Sequence, residues 1–508
     1  MGSLCLASGQ TIVVGTDTNT TRTVPGGFFG YSDESAINVN REAPNLLAAI
    51  AKVQAQVIRF PGGQYGNYWD WQTGLPVTNY DTGIPATNPA YPRLLSSLQQ
   101  QDTLMHSTPI FMLDVLTDPQ CKPPAGGLCQ YTPSSPNLNY QLQMLQAAQA
   151  LGIPVKYVEL GNEYYMPNIN GYAEVYPAPS PSTVYARLAT EWIAAIKKAF
   201  PQALVAAIGA NSTNEGGTRS GTWNQGLFPA LQGEDALTMH TYLRTSVPKG
   251  TTVYNDAAAL AMLATPFSNW AAVKQDIAKV PNNLPIWFTE FNLGDYSQPV
   301  WGTWAHGLVT ATMALLFLEE PRVVVMAKHA LVGGGVFAEI FTDKNGFNTT
   351  GGGLFTPPSN PPPTVPWGRT ATNMTLDEIA TAAASASQAQ KLTFAGSPAL
   401  GVTSYPALYG WSFQAGSARR IVLLNLSTQP LTIDVGGLGL GGGSYDQISG
   451  APFTYVTGGM SGSPTNLVGN SGTLSGHSCA LPAYSITRIW GAAPAPHLPQ
   501  KGRDHRRP

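Results

Sequence analysis

Charge is scarce in this sequence. Charged residues are 11% of the 508, and 27 Lys+Arg against 29 Asp+Glu leave a formal net charge of −2. A nucleic-acid binder needs a concentrated basic face, so no nucleic-acid partner is expected. Long apolar runs are also missing. The most apolar stretch, Ala311 to Leu318, is broken by Glu319, Glu320 and Pro321, well short of the roughly 18–20 residues a spanning helix needs. No GxGxxG follows the first predicted strand and no Walker sequence occurs, which leaves nucleotide binding without support. The seven His form neither HxH nor HExxH spacing, so a metal-dependent hydrolase is disfavoured. No metal or other cofactor is expected.

Cysteine is sparse too, and its four positions form no CxxC pair, which argues against zinc-ribbon and thioredoxin-type sites. Cys121 and Cys129 bracket CKPPAGGLC, whose Pro and Gly could fold the loop back into a bridge. Cys5 and Cys479 lie near opposite ends of the chain, as a terminal staple would. Both pairings imply an oxidising, secreted or extracellular setting; four unpaired thiols are the alternative. The start, MGSLCLASG, lacks the basic region and apolar core of a leader. Either a leader has been removed or there is none.

What the chain has in quantity is apolar content, 43%, which argues against global disorder. Its 53 Gly and 42 Pro predict long connecting loops. Eight apolar β-type runs are predicted as strands: Phe28–Tyr31, Val57–Pro61, Pro109–Asp114, Tyr157–Glu163, Leu204–Asn211, Leu237–Tyr242, Ile286–Phe291 and Val323–His329. Helix-like spacing separates them, for example in Tyr140–Leu151, Thr183–Phe200 and Ala257–Lys279. Alternation of this kind predicts an α/β fold, a (β/α)8 TIM barrel over 25–391; a doubly wound sheet is the competing reading. Residues 333–368 read as a long loop after the eighth strand, and Thr375–Gln390 as the eighth helix. Segments such as RRIVLLNLS and LPAYSITRIW, with Gly-rich breaks between, predict a C-terminal β-sandwich over 392–490 that also takes an N-terminal strand from 8–24. The tail, 491–508, reads as disordered.

Reacting groups of such a barrel sit at the carboxyl ends of its strands. Strand four runs to Leu160-Gly161-Asn162-Glu163, and strand seven to Thr289-Glu290-Phe291-Asn292. Two carboxyl groups facing across a cleft are what glycosidic cleavage requires: one protonated, to deliver a proton to the leaving oxygen, and one ionised.

At these residues the chain resembles the retaining glycoside hydrolases of clan A, through GNE at strand four and TEF at strand seven. The resemblance implies that Glu163 is the acid/base, Glu290 the nucleophile, and Asn162 a hydrogen-bonding partner of the hydroxyl next to the anomeric carbon. In Met239-His240-Thr241-Tyr242, His240 and Tyr242 match the strand-six pair, the Tyr hydroxyl orienting the nucleophile. Arg59 on strand two is placed to keep the nucleophile ionised. Trp69, Asp70 and Trp71 follow the RFPGG run, as residues that stack on a sugar and read its hydroxyls. Lys328 and His329 reach the mouth on strand eight, where clan members commonly place an aromatic. A cation there suggests an acidic sugar. Glu159, four residues before Glu163, is expected deeper in the barrel, pairing with Arg59 or Lys328.

Within the clan, FFGYSDES, RRIVLLNLS and a sandwich sharing an N-terminal strand resemble the heparanase-like β-glucuronidases. The RFPGG run resembles the α-L-arabinofuranosidases, and TEFN the xylosidase-type relatives. The implied function is a retaining glycosidase acting on a carbohydrate, with a uronic-acid glycone as the leading reading and the other two as alternatives. A catalytically inactive carbohydrate-binding relative is the non-enzyme alternative.

Overall fold

The computed structural model describes residues 11–33, 40–80, 92–130, 137–166, 181–211, 220–245, 247, 255–294, 300–333, 338–341, 367–454 and 467–491. Eight strands rich in β-branched and aromatic residues pair side by side: β1 (Phe29–Ser32), β2 (Val57–Phe60), β3 (Thr108–Met112), β4 (Tyr157–Glu159), β5 (Leu204–Ile208), β6 (Ala236–Leu243), β7 (Ile286–Leu293) and β8 (Val323–His329). All neighbouring pairs are parallel, and β8 closes on β1 to complete the barrel. β7 is buried along its whole length, as expected of a parallel strand covered on both sides.

Among the described residues a helix follows each strand: α1 (Pro44–Ile50), α2 (Leu95–Met105), α3 (Leu138–Ala150), α4 (Pro181–Ala199), α5 (Ser220–Leu227), α6 (Asp256–Ala278), α7 (Trp304–Phe317) and α8 (Ala371–Ala383). The short, Gly-containing α5 has too little apolar spacing to be read from sequence. The helix expected over Thr375–Gln390 starts earlier, where Thr370 caps it by accepting from the Asn373 N–H, and stops at Ala383. Gln388–Ala395 is instead a strand.

That strand joins the two halves of the sandwich. Its first half pairs with Leu408–Ala415 and with Arg22–Thr23, and its second half with Ile12–Thr16. Ile12–Thr16 runs parallel to Leu431–Asp434, so the N-terminal segment is built into the sheet. The core between the halves contains Ile12, Val14, Leu392, Ile421, Ile433, Leu481 and Ile489. Every residue of α7 is buried, because the sandwich lies against it: the Trp304 indole donates to the Tyr484 carbonyl at 2.6 Å. Beyond β8, Val332–Gly333, Ile340–Phe341 and Gly368–Arg369 form a small sheet. Residues 334–337 and 342–366 of the long loop and the tail from 492 lie outside the described residues.

Cys121 and Cys129 are bridged, and Asn79 ties the loop down by donating to the Cys121 carbonyl at 2.6 Å. The expected partner bridge is not formed at its described end. Cys479 is a buried free thiol on an inner strand position facing Gln447, and Cys5 lies outside the described residues.

Arg22 joins sandwich to barrel. Its guanidinium is buried and donates to the carbonyls of Phe317, Leu318, Glu320 and Val323 at 3.3, 3.2, 3.1 and 2.8 Å. Phe317, Leu318 and Glu320 lie at and just beyond the end of α7, where helix carbonyls run out of intrahelical partners, and Val323 opens β8. Arg22→Ala should cost about 3 kcal/mol, the scale of charged hydrogen bonds lost together with orphaned buried carbonyls. The expected readout is a lower urea midpoint at unchanged slope; an unchanged midpoint would deny Arg22 this role.

Candidate active site

Beyond Glu159 the chain leaves the β4 ladder in a sharp turn. Gly161 has φ 91°, and a Cβ there would lie 2.2 Å from the Tyr164 hydroxyl, so a side chain does not fit. Glu163 has φ 51°, a left-handed conformation that non-glycine residues adopt infrequently. The strand expected to reach Glu163 therefore ends four residues earlier, and the turn carries the carboxyl to the mouth. Glu290 lies within β7, opposite His240 of β6. Register shifts fall between Met239 and His240, and between Phe288 and Phe291. Such irregularities re-aim side chains, and here they bring Glu290, His240 and Glu163 together. One carboxylate oxygen of each Glu and a ring nitrogen of His240 lie within 4.8 Å of one another.

Around Glu290 the groups are cationic or hydrogen-bond donating. Its Oε1 accepts from Arg59 Nη1 at 2.6 Å and its Oε2 from the Tyr242 hydroxyl at 2.5 Å. The Nδ1 atoms of His240 and His329 stand 3.6 and 3.7 Å from Oε2. Burial alone would raise the carboxyl pKa. The charges of His240, His329 and Arg59 and the Tyr242 hydrogen bond outweigh it and hold the pKa down to about 2.

Arg59 is itself wholly buried and anchors the site. Nε donates to Glu159, Nη1 also reaches Ser32 Oγ at 3.3 Å, and Nη2 donates to Asn162 Oδ1 at 2.8 Å. Burial disfavours the guanidinium charge, but Glu159 and Glu290 more than offset this and raise its pKa. Asn162 is clamped at its backbone by Asn67, whose side chain accepts from the Asn162 N–H at 2.9 Å and donates to its carbonyl at 3.0 Å.

Glu163 sits in different company. It is the more open of the two, its side chain 17% exposed against 6% for Glu290. His240 Nδ1 lies 2.7 Å from its Oε1, which also accepts from the Tyr165 hydroxyl at 3.1 Å. Glu163, His240 and Glu290 are the only grouping of metal-ligating donor types among the described residues. Their contacts with Arg59, Tyr242, Tyr165 and each other account for it as a hydrogen-bonded cluster.

The structure does not gather every expected residue here. Trp69 is fully buried; its ring packs edge-on to Phe60 at 5.2 Å and its indole donates to the Arg93 carbonyl at 3.2 Å. It is a core residue and presents no face to a sugar. Trp71 packs on Tyr140, and Asp70 accepts from the Tyr140 hydroxyl at 2.5 Å and Thr73 Oγ1 at 2.8 Å. Both shape the loop after β2. Lys328 is fully buried, 2.6 Å from Glu339 Oε1, with Thr372 Oγ1 at 3.3 Å. Its charge faces Glu339 rather than the cleft, because a buried ammonium needs a counter-charge. His329 does reach Glu290. Thr289 and Tyr165 contact the cluster without having been singled out in sequence. Tyr165 is two residues from Glu163 and Thr289 adjoins Glu290, so proximity was the available signal. Glu339 belongs to the segment read as loop, and the need to neutralise Lys328 was its signal.

No protein-family model and no curated sequence matches the chain. Among solved structures, a family 51 α-L-arabinofuranosidase from Bifidobacterium longum is similar at TM-score 0.67 and 17% identity, covering 94% of this chain and 99% of that one. The fold is shared. An arabinofuranosidase from Xanthomonas axonopodis pv. citri gives 0.66 at 17% identity, over 94% and 99%. A 4-O-α-L-rhamnosyl-β-D-glucuronidase from Fusarium oxysporum gives 0.56 at 13%, over 94% and 100%. The barrel with its appended sandwich is thus an architecture that glycoside hydrolases use.

Because the Glu290 pKa lies below its ordinary 4.5, its ionisation stabilises the fold above that value, and this contribution is lost as pH falls through about 2. Tyr242→Phe removes one donor to the ionised form, worth about 1.5–3 kcal/mol, and should move the acid-unfolding midpoint up by a fraction of a unit to about one unit. The check is a pH titration of folding by near-ultraviolet circular dichroism; an unmoved midpoint would mean the hydroxyl does not stabilise the carboxylate.

Proposed function

We propose that the protein is a retaining glycoside hydrolase in which Glu290 is the nucleophile and Glu163 the acid/base. The observation that carries this reading is the pair of carboxyl groups approaching within 4.8 Å across the barrel mouth. Retention calls for carboxyl groups about 5–5.5 Å apart, whereas inversion needs roughly 6.5–9.5 Å to admit a water. The two environments fit unlike roles. Arg59 and Tyr242 keep Glu290 an anion, as a nucleophile must be. Glu163 is more open and paired with an imidazole, as suits a group that exchanges a proton with leaving group and water. Asn162, held by Arg59 and Asn67 between them, is assigned to the hydroxyl beside the anomeric carbon. An inactive binding relative would have no need of this arrangement.

For the glycone we favour a neutral sugar of the α-L-arabinofuranoside type over a uronic acid. Besides the resemblance carried by FFGYSDES and RRIVLLNLS, the argument for an acidic sugar is a rim cation at Lys328 or His329, and the Lys328 ammonium faces Glu339. Arg41 and Arg93 both pair with Asp33, and Arg59 with Glu159 and Glu290. Each of these cations already has a carboxylate partner. The likeness to arabinofuranosidases points the same way. A β-glucuronide remains the second reading, supported by His329 at the rim and by the likeness to the rhamnosyl-glucuronidase.

A panel of aryl glycosides tests both layers. The α-L-arabinofuranoside should be turned over faster than the β-D-glucuronide; the reverse order would restore the acidic-sugar reading. Glu290→Ala should abolish nearly all turnover. Glu163→Ala should lose about 10²- to 10⁴-fold on substrates with poor leaving groups, and azide should rescue it as a glycosyl azide of retained configuration. Inverted product from the unmodified enzyme, or full activity in Glu290→Ala, would overturn the mechanism.

A further inference from the structure

Beneath the two carboxyl groups lies a chain of hydrogen bonds whose direction is forced. Glu159 is fully buried, its Oε2 taken by Arg59 Nε. A carboxylate paired with a guanidinium can only accept. Thr289 Oγ1 lies 2.9 Å from Glu159 Oε1. The hydroxyl has one hydrogen, and this contact uses it. What Thr289 turns toward His240 Nε2, at 3.2 Å, is therefore a lone pair, so Nε2 must carry a hydrogen. The other ring nitrogen, Nδ1, is 2.7 Å from Glu163 Oε1. Two lone pairs do not approach that closely without a proton between them. Glu290 Oε2, 3.6 Å from the same nitrogen, is too distant to be its hydrogen-bond partner. The Tyr165 hydroxyl directs its hydrogen to Glu163 Oε1 at 3.1 Å.

We propose that Thr289, held by Glu159, locks His240 with its hydrogen on Nε2, so that His240 and Glu163 together store the single proton that Glu163 delivers to the leaving group. This rests on the acid/base reading of Glu163. In the first step an oxygen of Glu290 bonds to the anomeric carbon, the glycosidic C–O bond breaks, and the stored proton passes through the Glu163 carboxyl to the departing oxygen. The His240 Nδ1 lone pair then faces a carboxylate across a short contact, an arrangement that favours taking a proton back. In the second step water attacks the anomeric carbon, the ester bond to Glu290 breaks, and the proton released by the water returns to the His240–Glu163 pair. Thr289 touches no substrate in this scheme. It is a positioning residue that acts through the imidazole.

The test compares kcat/KM on two glycosides of the same sugar, one with a dinitrophenolate leaving group that needs no proton and one with an alkoxide leaving group that does. Thr289→Val keeps the side-chain shape and removes the lock. It should lower kcat/KM for the alkyl glycoside about 10- to 100-fold, part of the full general-acid contribution, and leave the dinitrophenyl glycoside within about twofold. Thr289→Ser, which restores the hydroxyl, should recover the alkyl glycoside. Equal losses on both substrates, as a merely structural role would give, or no loss on either, would overturn the lock. Glu163→Ala run alongside separates the two layers. If it spares the alkyl glycoside, the acid/base reading itself fails; if it is selective while Thr289→Val is not, only the lock fails. Neutron diffraction on the unmodified protein reads the same point without a substitution. Deuterium on His240 Nε2 facing Thr289 is expected, and a bare Nε2 there would contradict the proposal.

Discussion

One buried guanidinium organises the mouth of this barrel. Arg59 comes from β2, yet it binds Glu159 at the end of β4, Asn162 in the turn beyond it and Glu290 on β7. A cation with no exposure is tolerable only when its donors are matched by acceptors and its charge by carboxylates. Meeting that requirement fixes three segments relative to one another. It also divides the labour between the carboxylates around it. Glu159 supplies a fixed counter-charge, which leaves Glu290 held by a cation it shares, ionised and still accessible at the cleft. Losing Arg59 would leave two buried carboxylates without their partner, so its replacement would disturb fold and site together.

The same requirement explains the departure at β8. Lys328 lies beneath the mouth, and Glu339, carried by the segment after β8, comes inward to meet it, with Thr372 of α8 bonded to both. His306 is buried nearby on α7, and burial together with the Lys328 charge pushes its pKa well below the ordinary value, keeping the ring neutral. Gly302 N–H donates to its Nδ1 at 3.1 Å, so its Nε2 carries the hydrogen facing Asn292 Oδ1 at 2.8 Å, and Asn292 in turn donates to the His329 carbonyl at 2.6 Å. This neutral strut supports the residue whose imidazole stands beside Glu290.

The barrel was legible in the sequence because parallel strands covered on both faces leave short apolar runs, and all eight were found there. Glu163, Glu290, Arg59, His240 and Tyr242 were legible through the GNE, TEF and His-x-Tyr sequences and the resemblance they carry, although Glu163 stands four residues beyond the end of β4 and Glu290 within β7. Two kinds of feature were not. Trp69 was read as facing a sugar because an aromatic after a Gly-rich turn has no periodicity to say which way it points; packing against Phe60 decided it. Lys328 was read as a rim cation because its partner, Glu339, is brought to it by a segment without regular spacing. The end of α8 was misjudged for a related reason. Its Ala- and Ser-rich continuation suits helix by composition, while pairing with Leu408–Ala415 makes the next segment a strand.

The central claim is that Glu290, kept ionised by Arg59 and Tyr242, attacks the anomeric carbon and becomes an ester. Trapping that ester is the most direct measurement. A 2-deoxy-2-fluoro donor with an activated leaving group, built on the sugar the enzyme turns over, should inactivate it with a mass increase of one glycosyl unit. Proteolysis and peptide sequencing by mass spectrometry should then place the label on Glu290. A label on a different carboxylate, or continued turnover of the fluorinated donor to product of inverted configuration, would contradict the account.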